Sequence, residues 1–204
     1  MIGYVSVQEQ VQHDFHRARR KASLRRLRNR LGRDSAHEHL LSFEEAKGAL
    51  TRWTQAYQGM RIVEVNKITG SVGRYRDFDG SFLPLKVSTA NRWSRIDCAY
   101  HRGDELPPVS LYKIGEAYFV RDGNHRVSVA RYHKVVTIDA EVVELRGQMR
   151  TEAVHDSTRV AGAPTRRPQP APRKGAANGT WAARLFAFVR REGGVVGPKP
   201  VTST

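Results

Sequence analysis

The sequence predicts an α+β chain: a small mixed sheet with packed helices, preceded by a basic helical extension and followed by a disordered basic linker and a short terminal helix. Three observations carry this. Apolar residues recur at three- and four-residue steps near the N-terminus, alternate in short β-branched runs through the middle, and lose their periodicity after Arg150. The 204 residues suit one domain with extensions or two small ones, and exclude a large multi-domain enzyme. Charge divides along the same lines. The formal net charge is +15, with +5 in residues 1–59 (11 basic, 6 acidic), +4 in 60–150 (15 and 11) and +6 in 151–204 (9 and 3).

In the first segment, residues 15–33 hold nine Lys/Arg and no acid. Val11, Phe15, Ala18 and Ala22 form one helical stripe, and Leu24, Leu27 and Leu31 begin another, so a helix ending near Gly32 is expected. A second helix is expected from Ser42 to Gly59. Ser42 with Glu45 has the spacing of a capping box, and Phe43, Ala46, Leu50, Trp53 and Tyr57 share a face. Arg61–Ile68 alternates as a half-buried strand, and Gly70–Gly80 follows as a glycine-punctuated loop.

Val87–Tyr100 has helical spacing. Val109–Ile114 and Ala117–Val120 flank Gly115-Glu116 as a β-hairpin. Asp122-Gly-Asn-His-Arg126 opens a helix to about His133, and Val135–Leu145 is the last strand. The expected units are therefore a basic helical extension (1–59), a folded domain (60–146), a disordered Pro/Ala/Arg-rich linker (147–180), a short amphipathic basic helix (181–191) and a tail (192–204). The helix at Trp181–Arg191 suits a protein partner or docking onto its own domain.

No run approaches the roughly 18–20 apolar residues of a membrane span, and the N-terminus lacks the pattern of a secretory signal, so a cytoplasmic location is expected. The single cysteine, Cys98, excludes an internal disulfide. His37 and His39 lack a third ligand nearby, and no metal site is expected. The positive charge points to an anionic partner, nucleic acid ahead of lipid. Arg17, Arg19, Arg20, Lys21, Arg25, Arg26, Arg28 and Arg30 are the candidate nucleic-acid contacts, a backbone-binding set without base-reading character, which would make the protein nucleoid-associated.

Asp122 to Arg126 carry the most chemistry. A glycine between strand and helix frees N–H groups at a helix N-terminus, where the positive end of the dipole favours phosphate oxygens. Gly123 permits close approach, His125 and Arg126 supply donors, and Asp122 could orient His125, cap the helix or bind a divalent ion.

The unit Val109–Leu145 resembles the ParB/sulfiredoxin superfamily, whose corresponding box closes a phosphate pocket; the resemblance covers about residues 60–146. It implies that Asp122, Gly123, Asn124, His125 and Arg126, with Arg74 from the upstream loop, bind nucleotide phosphates, the cofactor being ATP, ADP or CTP with or without Mg²⁺. Asn124 stands where sulfiredoxin has its nucleophilic cysteine, which excludes that chemistry. No long helix-turn-helix domain follows residue 146, which argues against centromere partitioning. The box is most similar to that of the free serine kinases, whose activity also needs a carboxylate base; Asp77, Asp79 and Glu64 are the candidates. Two functions follow. One is a ParB-like, DNA-binding transcriptional regulator that senses a nucleotide, and the other is a small-molecule phosphotransferase or NTPase.

Overall fold

A computed structural model describes residues 6–31 and 39–149. Of the linker expected over 147–180, residues 147–149 are instead the end of a strand, and the rest, with the Trp181–Arg191 helix and the tail, lies outside the described residues. In chain order the elements are α1 (Val7–Leu31), β1 (Leu41–Ser42), α2 (Phe43–Gly48), β2 (Leu50–Glu64), β3 (Ile68–Ser71), α3 (Ala90–Arg102), β4 (Val109–Ile114), β5 (Ala117–Asp122), α4 (Asn124–Tyr132) and β6 (Thr137–Met149). The chain is thus α+β, with four α-helices and one six-stranded mixed sheet ordered β1-β3-β5-β4-β6-β2 among the described residues. β4 and β5 form the expected antiparallel hairpin, β4 runs parallel to β6, and β3 runs parallel to β5.

The sheet is covered on both faces. Leu111, Val120 and Val142 pack with Val127 and Ala130 of α4 in one cluster, while Ile114, Phe119 and Leu145 meet Phe43 and Ala46 of α2 in another. A third cluster joins Phe15, Ala18 and Ala22 of α1 to Trp93 of α3 and Val129 of α4. The stripe expected on α1 is therefore buried, whereas Leu24, Leu27 and Leu31 are exposed. Ser6 and Glu9 begin α1 with reciprocal capping bonds, Glu9 N–H to Ser6 Oγ at 3.2 Å and Ser6 N–H to Glu9 Oε2 at 3.1 Å. Among the described residues, no helix is long and apolar enough to cross a membrane.

Two expectations are corrected. The helix predicted over 42–59 stops at Gly48, Ser42 makes no side-chain cap bond, and Leu50 starts a strand. β2 pairs with β6 from Leu50↔Met149 to Glu64↔Thr137, and this long ladder outweighs the local helical spacing. Shifts in register between Thr51 and Thr54 and between Tyr57 and Gly59 break the two-residue alternation, which is why the strand imitates a helical pattern. Gly59, read as a helix stop, sits at the second bulge with φ +70°, and Trp53 and Tyr57 are exposed, not packed. β2 also runs through residue 60, and α1 contributes to the core, so residues 1–59 do not form a separable extension.

Candidate functional site

α4 begins where the sequence places it. Gly123 is its N-cap with φ +99°, a conformation that L side chains rarely adopt, and no side chain caps the turn. A Cβ at Gly123 would stand 2.7 Å from Val109 Cγ1 and 3.1 Å from Arg126 Nε. Only glycine therefore fits between the strand and the helix. The first-turn amides of Asn124, His125 and Arg126 precede the first α-helical bond, from Val127 N–H to Gly123 C=O.

Asn124 and His125 are buried, and Asn124 Oδ1 and His125 Nδ1 have no hydrogen-bond partner. His125 packs edge-on against Phe78 at 5.4 Å between ring centroids. Burial pushes its pKa down to about 4, and the charges of Arg74 and Arg92 reinforce the shift while Asp77 opposes it. At neutral pH His125 is an uncharged imidazole, and the positive charge at this end of α4 comes from its arginine neighbours. Arg92, exposed on α3, acts on His125 through its charge, and nothing in the sequence around it marks it for this site.

Of the other members of the box, Arg126 is largely buried, whereas the Asp122 side chain is 72% exposed. Arg126 donates through Nη1 to the Pro107 and Pro108 carbonyls and through Nη2 to Asp122 Oδ2 at 2.7 Å. It straps the approach to β4 onto α4, and Asp122 serves as its partner. Arg74 is half-exposed and bonds Asp77 at 3.3 Å, and Lys86 meets the other Asp77 oxygen at 2.6 Å. Beside Arg76 and Lys86 lies an open cleft of about 600 Å³, also lined by Arg26, Ser42 and Tyr75.

Comparison with family models, curated proteins and solved structures finds no match for this chain. The ParB/sulfiredoxin resemblance rests on the residues of the strand–box–helix unit.

The three carboxylates raised as possible bases fare differently. Glu64 pairs with Lys67 at 2.9 Å. Asp79 is buried and folds its own loop, Oδ1 accepting from Ser81 N–H at 2.9 Å and Leu83 N–H at 2.8 Å. Burial raises its pKa, and these amide bonds only partly offset that. Asp77 alone of the three acts on His125.

The arginine helix is placed as a rod along α3. Arg17, Arg20, Lys21 and Arg28 are exposed, Arg19, Arg25 and Arg26 are half-buried, and the side chain of Arg30 lies outside the described residues. Lys21 Nζ sits over the Tyr132 ring at 5.1 Å, and Arg25 meets Asp79 at 3.5 Å. The exposed set thus projects from a helix whose other face is core.

Proposed function

We propose that this protein is a ParB-like nucleotide-binding regulator, with the phosphate site at the α4 N-terminus and nucleic acid held along α1. One observation carries the reading. At a helix N-terminus opened by Gly123, two buried polar atoms, Asn124 Oδ1 and His125 Nδ1, lack partners beside two arginine charges. A nucleotide offers complements to these groups: phosphate oxygens for the amides and for Arg74 and Arg92, a hydroxyl or amine hydrogen for Asn124 Oδ1, and a donor or acceptor for His125 Nδ1 according to its tautomer. Asp122 and Arg126 then act by holding the turn in shape.

The test is thermal unfolding of the full chain with a panel of nucleoside di- and triphosphates, with and without Mg²⁺. A ligand at about 100 times its Kd adds about 2.7 kcal/mol of stability. Arg74→Ala and Arg92→Ala should remove that gain without lowering the melting temperature of the free protein. A wild type that no nucleotide stabilises would refute the phosphate site.

The phosphotransferase reading is favoured by Asp77, the carboxylate that acts on His125. Product analysis on the stabilising nucleotide separates the two, because a regulator returns it unchanged or slowly hydrolysed and a phosphotransferase passes the phosphoryl group to an acceptor.

A further inference from the structure

At the other end of α4, three helices converge on a second group of polar side chains. Asp14 comes from α1, Asp97 and His101 lie one turn apart on α3, and His133 follows α4 as its C-cap. Sequence spacing links only Asp97 and His101; the others arrive through the packing of Phe15 and Trp93. His101 Nε2 lies 3.0 Å from Asp14 Oδ2, and His133 Nε2 lies 2.6 Å from Asp97 Oδ1. One ligand atom from each of the four residues can be chosen so that all lie within 4.8 Å of one another.

Asp97 supplies the independent observation. Its side chain is 0% exposed, yet Oδ2 has no hydrogen-bond partner and stands 3.7 Å from His101 Nε2. A buried carboxylate oxygen left unbonded beside an imidazole nitrogen is costly, and a cation would satisfy it.

We propose that Asp14, Asp97, His101 and His133 form a site for a divalent transition metal, with Zn²⁺ the best-matched ion. Two imidazole nitrogens and two carboxylate oxygens suit zinc, whereas Ca²⁺ and Mg²⁺ take six or more ligands that are chiefly oxygen. A tetrahedral ion with bonds of about 2.0–2.1 Å spaces its ligand atoms about 3.3 Å apart, so ligand atoms that lie within 4.8 Å of one another must draw together by up to about 1.5 Å around the ion. The surroundings orient the ligands as metal sites require. Asp14 Oδ1 accepts from Tyr132 Oη at 2.7 Å, Gln10 Nε2 lies at 3.2–3.3 Å from both oxygens, and Tyr100 stacks on the His133 ring at 4.1 Å. Four protein ligands leave no open position, so the ion is structural and pins the arginine helix to α3 and α4.

The experiment uses the full chain, free of any affinity tag and stripped with a chelator, and titrates it with Zn²⁺ by calorimetry and with Co²⁺ by visible absorbance. The expected result is one ion per chain, a higher melting temperature, and the intense d–d band of tetrahedral Co²⁺. His101→Ala, whose side chain is partly exposed, should remain folded by circular dichroism and weaken binding by more than about 100-fold. Tyr132→Phe should weaken it about tenfold. A His37→Ala/His39→Ala variant should bind as the wild type does. Absence of the tetrahedral band, or stoichiometric binding that survives His101→Ala, would overturn the site and leave the cluster as a set of Asp–His hydrogen bonds.

Discussion

Replacing Gly123 by alanine tests whether the turn at the head of α4 is built as described. Two costs add. The left-handed φ of +99° strains an L residue by about 1–3 kcal/mol. The new Cβ also meets Val109 Cγ1 at 2.7 Å, and Val109 is 0% exposed in the core, so relieving the overlap costs about 1 kcal/mol or more. Gly123→Ala should therefore lose about 2–4 kcal/mol in urea unfolding monitored by circular dichroism. Gly48→Ala is the internal control. Gly48 ends α2, has no atom within 4 Å of the added Cβ and does not have a positive φ, so its substitution should be neutral or stabilising by up to about 1 kcal/mol. A Gly123→Ala loss below about 0.5 kcal/mol, matching the control, would refute the strained turn and with it the close approach of ligand to backbone.

Three further outcomes follow from the same geometry. Ser128→Ala should cost about 1–3 kcal/mol in chemical unfolding, because Trp93 Nε1–H, which donates to Ser128 Oγ at 2.9 Å in the core, would be left without an acceptor. For His125, the folded pKa of about 4 lies below the ordinary 6.5, so between these values the unfolded chain takes up a proton that the folded chain refuses. Stability should fall as pH drops through this window, by at most about 3 kcal/mol, with no contribution above it; the loss relative to His125→Gln, followed by melting temperature from pH 7 to 4, isolates this group, and parallel profiles would contradict a buried neutral imidazole. Changing Arg17, Arg20 and Arg28 together to Gln should leave the fold intact and lower the slope of log affinity for DNA or RNA against log salt by about 3, since each phosphate contact contributes about 0.9; an unchanged slope would remove α1 from the interface.

The hairpin at 109–122 and the helix after it were legible because their signals are local. Gly115-Glu116 separates two short runs of β-branched and aromatic residues, and Gly123 supplies the left-handed conformation that turns the strand directly into a helix. Local reasoning failed at 50–59, where bulges let a strand carry apolar residues at helical intervals. For Arg126, whose sequence context marks it as a phosphate ligand, local reasoning does not show that its donors meet Pro107, Pro108 and Asp122. The same Ser-to-Glu spacing caps α1 at Ser6 and Glu9 but forms no cap bond at Ser42 and Glu45, so spacing alone does not decide which pair closes.

By itself the sequence determined the α+β class, the concentration of charge outside the middle segment, and the strand–glycine–helix turn at Asp122–Arg126, because hydrophobic period, composition and glycine conformation act over a few residues. Only the tertiary structure decided that α1 belongs to the core, that burial and the charges of Arg74 and Arg92 keep His125 neutral, and that Asp14 meets His101 across 87 residues of chain. These contacts arise when apolar faces close on one another and carry polar groups with them, and nothing in the spacing of neighbours along the chain records which distant faces will meet.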